Sequence, residues 1–357
     1  MAAAAGSTGV TQLTLQWRPF ALTLPQPLRT AQGVIERRQG WLLRLEDAQG
    51  HLGWGEAAPL ELVAPPSAAA TPGANPPAGA HATLAAAITR LGPHQPRQAL
   101  EQQIPQLPGP LAFALGAALA ELEGLIGGSG GWQSSPHSAW LLPAGAAALP
   151  ALDQALKQTK TTTSQPGPGA LPFTVKWKVA AGDDAQERAL LEVLLQRLPA
   201  GARLRLDANG GWNRPQASAW AERLAGNTTL EWLEQPLPAH DLCGLKALAQ
   251  RLPVALDETL ALQPALRQSW PGWQVRRPVL EGDPRPLLAD LQRGCPHRML
   301  STAFETGIGR RWLEHLAALQ QQGPGATAAG LAPGWQAPGA LAARDPQQVW
   351  EGARCNR

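Results

Sequence analysis

Phe173-Thr-Val-Lys176-Trp-Lys178-Val179 opens a series of short apolar runs that each end in charge. The others are Leu204-Arg205-Leu-Asp207-Ala-Asn209, Leu230-Glu-Trp-Leu-Glu234-Gln-Pro236, Val254-Ala-Leu-Asp257-Glu258 and Gln274-Val-Arg276-Arg277-Pro278. From Lys178 the steps are 29, 27, 23 and 20 residues, landing on Asp207, Glu234, Asp257 and Arg277. One strand, one helix and two short loops take roughly 25–30 residues. Each charge therefore falls where a βα unit would end its strand, which is where parallel barrels carry their active groups.

The alternation extends on both sides of this stretch. Strands are predicted at 139–142, 203–206, 230–233, 254–256, 273–277 and 299–303, and helices at 183–198, 215–224, 242–251, 264–268, 284–293 and 309–321. With the strand carrying Lys176 and Lys178 this makes about seven βα units, a number that favours a closed barrel over an open sheet. The Gly/Pro/Ala-rich tail, 323–357, is too irregular for a full unit; it would pass an eighth barrel position near Ala329-Gly330-Leu331 and return to the first domain.

The first 130 residues read as an α+β unit. Strands are expected at 11–24 and 41–56, the latter turning at Asp47-Ala-Gln-Gly50, and helices at 82–91, 97–103 and 110–125. Between the strands, 28–40 reads as a polar loop carrying Arg29, Arg37 and Arg38, candidates for covering a substrate. Residues 63–80 read as a low-complexity insertion and 159–169 as a lengthened loop.

Composition excludes several classes of function. The 357 residues are 44% apolar and 16% charged, which fits a soluble globular protein. Lys plus Arg number 30 against 27 Asp plus Glu, and no basic run exceeds two residues, so nucleic acid is not an expected partner. The longest apolar stretch, 111–120, is about half of a membrane span. Cys243, Cys295 and Cys355 form no Cys-x-x-Cys pair, and the N-terminus has neither a basic region nor a sustained apolar run, so a reducing cytoplasm is expected. The seven histidines have no metal-ligand spacing. Oligomeric state is not legible.

Lys176 and Lys178, two apart, share one strand face with Trp177 on the other. Mutual repulsion and burial are expected to lower a lysine there toward the range of a useful base. Asp207, Glu234 and Asp257 would converge from three adjacent strands, a costly arrangement that a hard divalent cation relieves; Mg²⁺ suits it best. A single acid at a strand end is ordinarily a helix cap or a surface group. Three of them at barrel spacing, behind Lys-x-Lys, are much harder to read that way.

These motifs, in this order, resemble the signature of the enolase superfamily, muconate-lactonizing-enzyme subgroup. Further local matches point to the branch of the subgroup that forms 2-succinylbenzoate: Gly53-Trp-Gly-Glu56-Ala-Ala-Pro59-Leu60, the helix around Phe113, Gly116 and Glu121, and Ser301-Thr-Ala-Phe-Glu305-Thr-Gly307. The resemblance implies an α/β fold, a modified TIM barrel of (β/α)₇β type with an α+β capping domain. The division is 1–130 for the cap, 131–325 for the barrel, and 326–357 for the last barrel position and return to the cap.

It implies a small-molecule carboxylate substrate and a Mg²⁺-dependent dehydration (Mn²⁺ as substitute) of 2-succinyl-6-hydroxy-2,4-cyclohexadiene-1-carboxylate, in menaquinone or phylloquinone synthesis. Lys178 would be the base, Lys176 an assisting cation, and Asp207, Glu234 and Asp257 the metal ligands. Ser301 and Gly330 would bind substrate, with Arg38 as a further candidate, and Arg205 would pin a carboxylate below the metal. Arg277 departs from the pattern, which has Lys before this Pro. Arginine is a poor base, so a two-base racemase is disfavoured and a one-base elimination survives, with Arg277 as a cation against the substrate ring.

Two alternatives stand beside this reading. One is an N-acylamino acid racemase or dipeptide epimerase of the same subgroup, against which counts the lack of any acid between Gly323 and Leu341 to hold a substrate ammonium. The other is a catalytically silent carboxylate-binding barrel.

Overall fold

The computed structural model describes residues 12–30, 33–61, 79–127, 131–135, 137–162 and 171–353. The cap begins with β1 (Gln12–Thr30), β2 (Gly33–Glu46) and β3 (Leu52–Ala57), continues through α1 (Ala80–Leu91), β4 (His94–Pro96) and α2 (Arg97–Gln103), and closes with α3 (Gly109–Leu122). Its sheet has the order β3-β2-β1-β4, with β1 antiparallel to both neighbours. Asp47 makes the β2–β3 turn, accepting from the amides of Gln49 and His51. Most of the 63–80 insertion lies outside the described residues; α1 begins at Ala80.

The stretch 28–40 is not a loop. β1 and β2 pair as far as Thr30↔Gly33, with Leu28 opposite Ile35 and Leu22 opposite Arg38. Charged residues hid the strand because Glu36 and Arg37 are exposed on an extended hairpin arm. A register shift between Thr23 and Leu28 bends β1 where Pro25 and Pro27 cannot donate to a ladder.

The second unit is a curled sheet of seven parallel strands, β5 (Trp140–Leu142), β6 (Thr174–Lys178), β7 (Arg203–Asp207), β8 (Leu230–Glu234), β9 (Val254–Leu256), β10 (Trp273–Arg276) and β11 (Arg298–Leu300), in sequential order. Two isolated bridges, Ser138↔Ala329 and Ser301↔Gly330, join its edges through the eighth position that the sequence places near Ala329-Gly330-Leu331. Trp232, Ala255, Val275 and Met299 fill the interior.

The connecting helices are α4 (Ala148–Thr162), α5 (Asp184–Arg197), α6 (Arg214–Leu224), α7 (Leu242–Ala249), α8 (Glu258–Leu262), α9 (Leu266–Ser269), α10 (Pro278–Glu281), α11 (Arg285–Gln292) and α12 (Gly307–Gln322). α8 and α10 are single turns directly after the strand ends, too short for a periodic pattern. α4 runs into the tract expected as a loop from 159, the remainder of which lies largely outside the described residues. Asp183, Asn213 and Asp241 cap α5, α6 and α7, each accepting a helical amide.

α13 (Pro346–Gly352) brings the tail back to the cap. Val349 and Trp350 pack in one cluster with Phe20, Leu22 and Trp54, and Arg18 Nη1 donates to Trp350 O at 2.8 Å. Among the described residues no helix is long and apolar enough to cross a membrane.

Candidate active site

The register of the parallel strands assembles the charges. Lys178, at the end of β6, is the register partner of Asp207, and Asp207 is the partner of Glu234. Lys178 Nζ donates to Asp207 Oδ2 and Asn209 Oδ1, both at 2.7 Å. Lys176, one turn of the pleat deeper, places Nζ 3.0 Å from Asp207 Oδ2 and 2.8 Å from Glu234 Oε1. Trp177 is buried on the opposite face, in the layer between strands and helices.

Arg277 points inward and Arg276 does not. Arg276 pairs with Glu281 at 2.6 Å. Arg277 holds Asp257 through two bonds, Nε to Oδ1 at 3.0 Å and Nη2 to Oδ2 at 2.5 Å, while Nη1 donates to Thr302 O at 2.7 Å. All three guanidinium nitrogens are thus engaged, and the tie links the ends of β9, β10 and β11.

Burial opposes ionisation of Asp207, yet Lys176 and Lys178 hold its carboxyl well below the usual range. Glu234 is pushed up by burial and then by the negative charge of Asp207. Burial likewise disfavours the Lys176 ammonium, but Asp207 and Glu234 more than offset it and the pKa is raised. For Lys176 this is opposite to the lowering expected of paired ammonium groups, because its Nζ sits within 3.0 Å of two carboxylates. Glu258, beside Asp257 and Asp207, is pushed up to about 8, mainly by burial.

The donor set fits Mg²⁺ in its chemistry. Asp207, Glu234 and Asp257 offer oxygens only, the ligands a hard divalent cation takes, from three consecutive strand ends. The side chains do not converge as the sequence suggested, however. Among the described residues no three His, Cys, Asp or Glu groups close on one point. Asp207 and Glu234 share Lys176, whereas Asp257 is drawn to Arg277.

Asp257 and Glu258 border a cavity of about 270 Å³. Lys176, Lys178, Arg277, Ser301 and Gly330 all line it, and the cap contributes Leu28, Ile35 and Leu60. Arg205 also reaches it, fully buried, donating to Glu231, Thr327 and Ala328 with its guanidinium 4.1 Å above the Trp232 ring. Arg38 is not brought to the cavity. It is buried inside the cap, donating to Ala58 O at 2.8 Å with Glu56 at 3.8 Å, and Arg37 is exposed. The hairpin's reach over the barrel is apolar, so the arginine reading of 28–40 fails for Arg38 because its side chain faces the cap core.

Among the cavity residues without an assigned role at the level of sequence are Asn209, Glu258, Thr302 and Phe304. Asn209 joins Lys178 to Glu258, donating to the latter at 3.0 Å. Both stand in the strand-end motifs, Asp-x-Asn and Asp-Glu, and Thr302 and Phe304 stand in the Ser301–Gly307 motif, so position is available as a signal for all four. A larger, more open cavity of about 620 Å³ abuts the first across Asp257, Ala261, Arg277 and Leu280.

Residues 173–269 match the enolase C-terminal domain-like family. An o-succinylbenzoate synthase of Thermosynechococcus vestitus is 37% identical over 322 residues, spanning 84% of this chain and 87% of its own. The structure of the Thermosynechococcus elongatus o-succinylbenzoate synthase, complexed with Mg in the active site, superposes with a TM-score of 0.73 at 33% identity, covering 95% of this chain and 99% of that one. The L-Ala-D/L-Glu epimerase of Bacillus subtilis shares the fold, with a TM-score of 0.67 at 19% identity over 91% of both chains.

Proposed function

This chain belongs to the o-succinylbenzoate synthases of the enolase superfamily, and we propose that Lys178 is the base of its Mg²⁺-dependent dehydration. The reaction removes water from 2-succinyl-6-hydroxy-2,4-cyclohexadiene-1-carboxylate to give 2-succinylbenzoate, a carbon–oxygen lyase step. The observation that carries the assignment of roles is the single cationic strand face. Lys176 and Lys178 both border the cavity, and the group across from them, Arg277, is a guanidinium saturated by Asp257 and Thr302 O.

A hydrogen alpha to a carboxylate is weakly acidic, and its removal leaves charge on the carboxylate oxygens. Bound Mg²⁺, held by Asp207, Glu234 and Asp257, supplies positive charge at those oxygens. Lys176 adds a fixed cation, kept ionised by the carboxylates that raise its pKa. Lys178 takes the ring proton at Nζ, held in position by Asp207 and Asn209. The C–H electron pair forms the new ring double bond as the C–O bond breaks. The departing hydroxyl then takes the proton back from Nζ on the same face and leaves as water, so one residue serves both steps. A lysine base working beside Mg²⁺ is a recurring arrangement in enolase-type sites.

Arg277 stays protonated and so cannot act as an opposed base, which argues against a racemase or epimerase. Its π face remains available to the substrate ring. Ser301 and Gly330, adjacent across the last bridge, would bind substrate carboxylate oxygens. We further place the reaction in menaquinone or phylloquinone synthesis, in the cytoplasm, with Mn²⁺ able to substitute for Mg²⁺.

The test is an ultraviolet assay of the aromatic product. The wild-type protein should turn over with Mg²⁺ and stop in EDTA, and Lys178→Ala should lose about 10³-fold or more in kcat. Near-normal turnover of Lys178→Ala would overturn the base assignment, and a wild-type protein inert toward the diene would overturn the functional reading.

A further inference from the structure

Three charged side chains lie buried beneath the loop from β11 to α12, outside the catalytic cavity. Arg38 of β2 and Glu56 of β3 belong to the cap, and Glu305 belongs to the loop; they are 1%, 0% and 3% exposed. Glu56 crosses the seam between cap and barrel. Its Oε2 accepts from Thr306 N at 2.8 Å, Thr306 Oγ1 at 2.7 Å and Gly309 N at 3.2 Å, which places a carboxylate on the first turn of the 16-residue α12. Glu305 accepts from Thr302 Oγ1 and from Ala303 N, both at 2.6 Å, and so fastens the loop to itself. Arg38 is attracted by both Glu56 and Glu305.

The same loop forms a wall of the active site. Ser301, Thr302 and Phe304 line the cavity, and Thr302 O accepts from Arg277. Phe304 sits at φ +65°, a left-handed conformation unusual for a residue with a side chain, held by its amide donating to Thr302 Oγ1 at 2.8 Å. Buried charge is costly unless it is paired and hydrogen-bonded. Here Glu56 Oε2 takes all its hydrogen bonds from the segment that shapes the substrate wall, while Arg38, bonded to Ala58 O, stands 3.8 Å from Glu56 Oε1.

We propose that Glu56, with Arg38 beside it, is a positioning residue: through Thr306 and Gly309 it fixes the 301–306 loop in the shape that presents Ser301 to the substrate. Docking of the cap and completion of the substrate site are then one event, transmitted through buried charge rather than through a cap side chain on the substrate. This rests on the reading that the cavity bordered by Ser301 is the substrate site.

The test uses the full-length protein with Mg²⁺ and compares two substitutions at the same seam. Glu56→Gln alters the tie to the loop. Glu121→Gln alters a second tie, in which α3 meets Arg311 and Trp312 in the second turn of α12 and the amide of Trp54 in β3, without touching the 301–306 loop. Glu56→Gln should raise KM about 10-fold or more with kcat within about 3-fold, and weaken calorimetric binding of 2-succinylbenzoate to the same extent. Glu121→Gln should leave KM and product affinity unchanged.

Wild-type KM and product affinity in Glu56→Gln, or equal shifts in both variants, would overturn the proposal. If Glu56→Gln does not accumulate as folded protein, Thr302→Val and Thr302→Ser decide: the valine should raise KM and the serine restore it, and a wild-type KM for the valine overturns the proposal. If the wild-type protein does not turn over the diene, the functional reading fails. The calorimetric comparison of the variants still decides this one.

Discussion

In the proposed mechanism the guanidinium of Arg277 stands where a second base would be needed, and it is held there by Asp257 and Thr302 O. Its charge is fixed, raised further by Asp257 after burial is offset, so it cannot receive a proton from the substrate. It also neutralises Asp257. Removing it should leave a largely buried carboxylate unpaired, a loss of roughly 2 kcal/mol once the partial exposure of the pair is allowed for. If Asp257 is a Mg²⁺ ligand as proposed, the ion would supply the missing charge to the same carboxylate, and ligand binding to the native state adds stability. Arg277→Ala should therefore lower the Tm distinctly in EDTA and much less in saturating Mg²⁺. A drop of equal size in both conditions, measured by differential scanning calorimetry, would mean that Arg277 and the metal do not share Asp257.

Among the elements, β3 and α3 make the closest approach in the cap, and the sequence Gly53-Trp-Gly-Glu56 accounts for it. A Cβ on Gly55 would stand 2.1 Å from Ala114 O, and one on Gly53 would stand 2.0 Å from Ala118 O, so backbone meets backbone where only glycine fits. Gly55→Ala should cost about 2–3 kcal/mol, read as a lower midpoint in urea, and should unseat Glu56 from α12 as β3 lifts. If the midpoint does not move, helix and strand have more room than these contacts allow.

The element scale is also where the sequence was most and least legible. Charge at each strand end marked β6 to β10 because packing alone rarely places an inward-facing lysine or acid between apolar pairs. The hairpin arm of 28–40 was missed because Arg37 and Arg38, side by side, read as a polar loop. One proves exposed and the other buried against carboxylates that lie in sequence 18 and 267 residues away, Glu56 and Glu305. A tertiary ion cluster leaves no periodic trace. For the same reason Lys176, Lys178, Asp207 and Glu234 were identified as a group, while the exchange of Asp257 to Arg277 was not.

At the scale of the whole molecule, α3 joins the apolar interior of the cap to that of the barrel. α3 is apolar on nearly every side and belongs to two clusters at once: Leu111, Ala114, Leu115 and Leu119 face the cap sheet, while Phe113, Ala117 and Ala120 pack with Leu287, Trp312 and Leu316 of the barrel. Arg285 of α11 adds a paired contact to Glu101 of α2, and Glu121 binds Arg311 and the Trp312 indole. Burial pushes Glu121 up to about 7, against the pull of Arg311, itself facing Asp345. Its folded pKa thus lies above the ordinary carboxyl value, so the folded state binds more protons between about 4.5 and 7. The contribution is fully present below that window and is lost as pH rises through it, by up to roughly 3 kcal/mol. The difference in stability between wild type and Glu121→Gln should change across this window and be flat above it; a constant difference from pH 4.5 to 8 would refute the shift.

Because α3 is a member of both cores, neither unit can lose its packing without exposing the other. Removing α3 from the barrel would uncover Trp312, Leu313 and Leu316, all fully buried, and removing it from the cap would uncover Leu43 and Leu45 of β2. The tail adds a second crossing, since Trp350 packs on Trp54 with ring centroids 5.7 Å apart. Two units coupled this way should unfold in one step even at 357 residues, a size at which separate transitions are common. Tryptophans report on both: Trp54 and Trp350 at the cap, Trp177, Trp220 and Trp232 in the barrel. Urea unfolding followed by near-ultraviolet circular dichroism, by far-ultraviolet circular dichroism and by loss of dehydration should give coincident midpoints. Activity and cap signals lost at a lower midpoint than the barrel's secondary structure would show that the cap undocks first, and that α3 binds one core more tightly than the other.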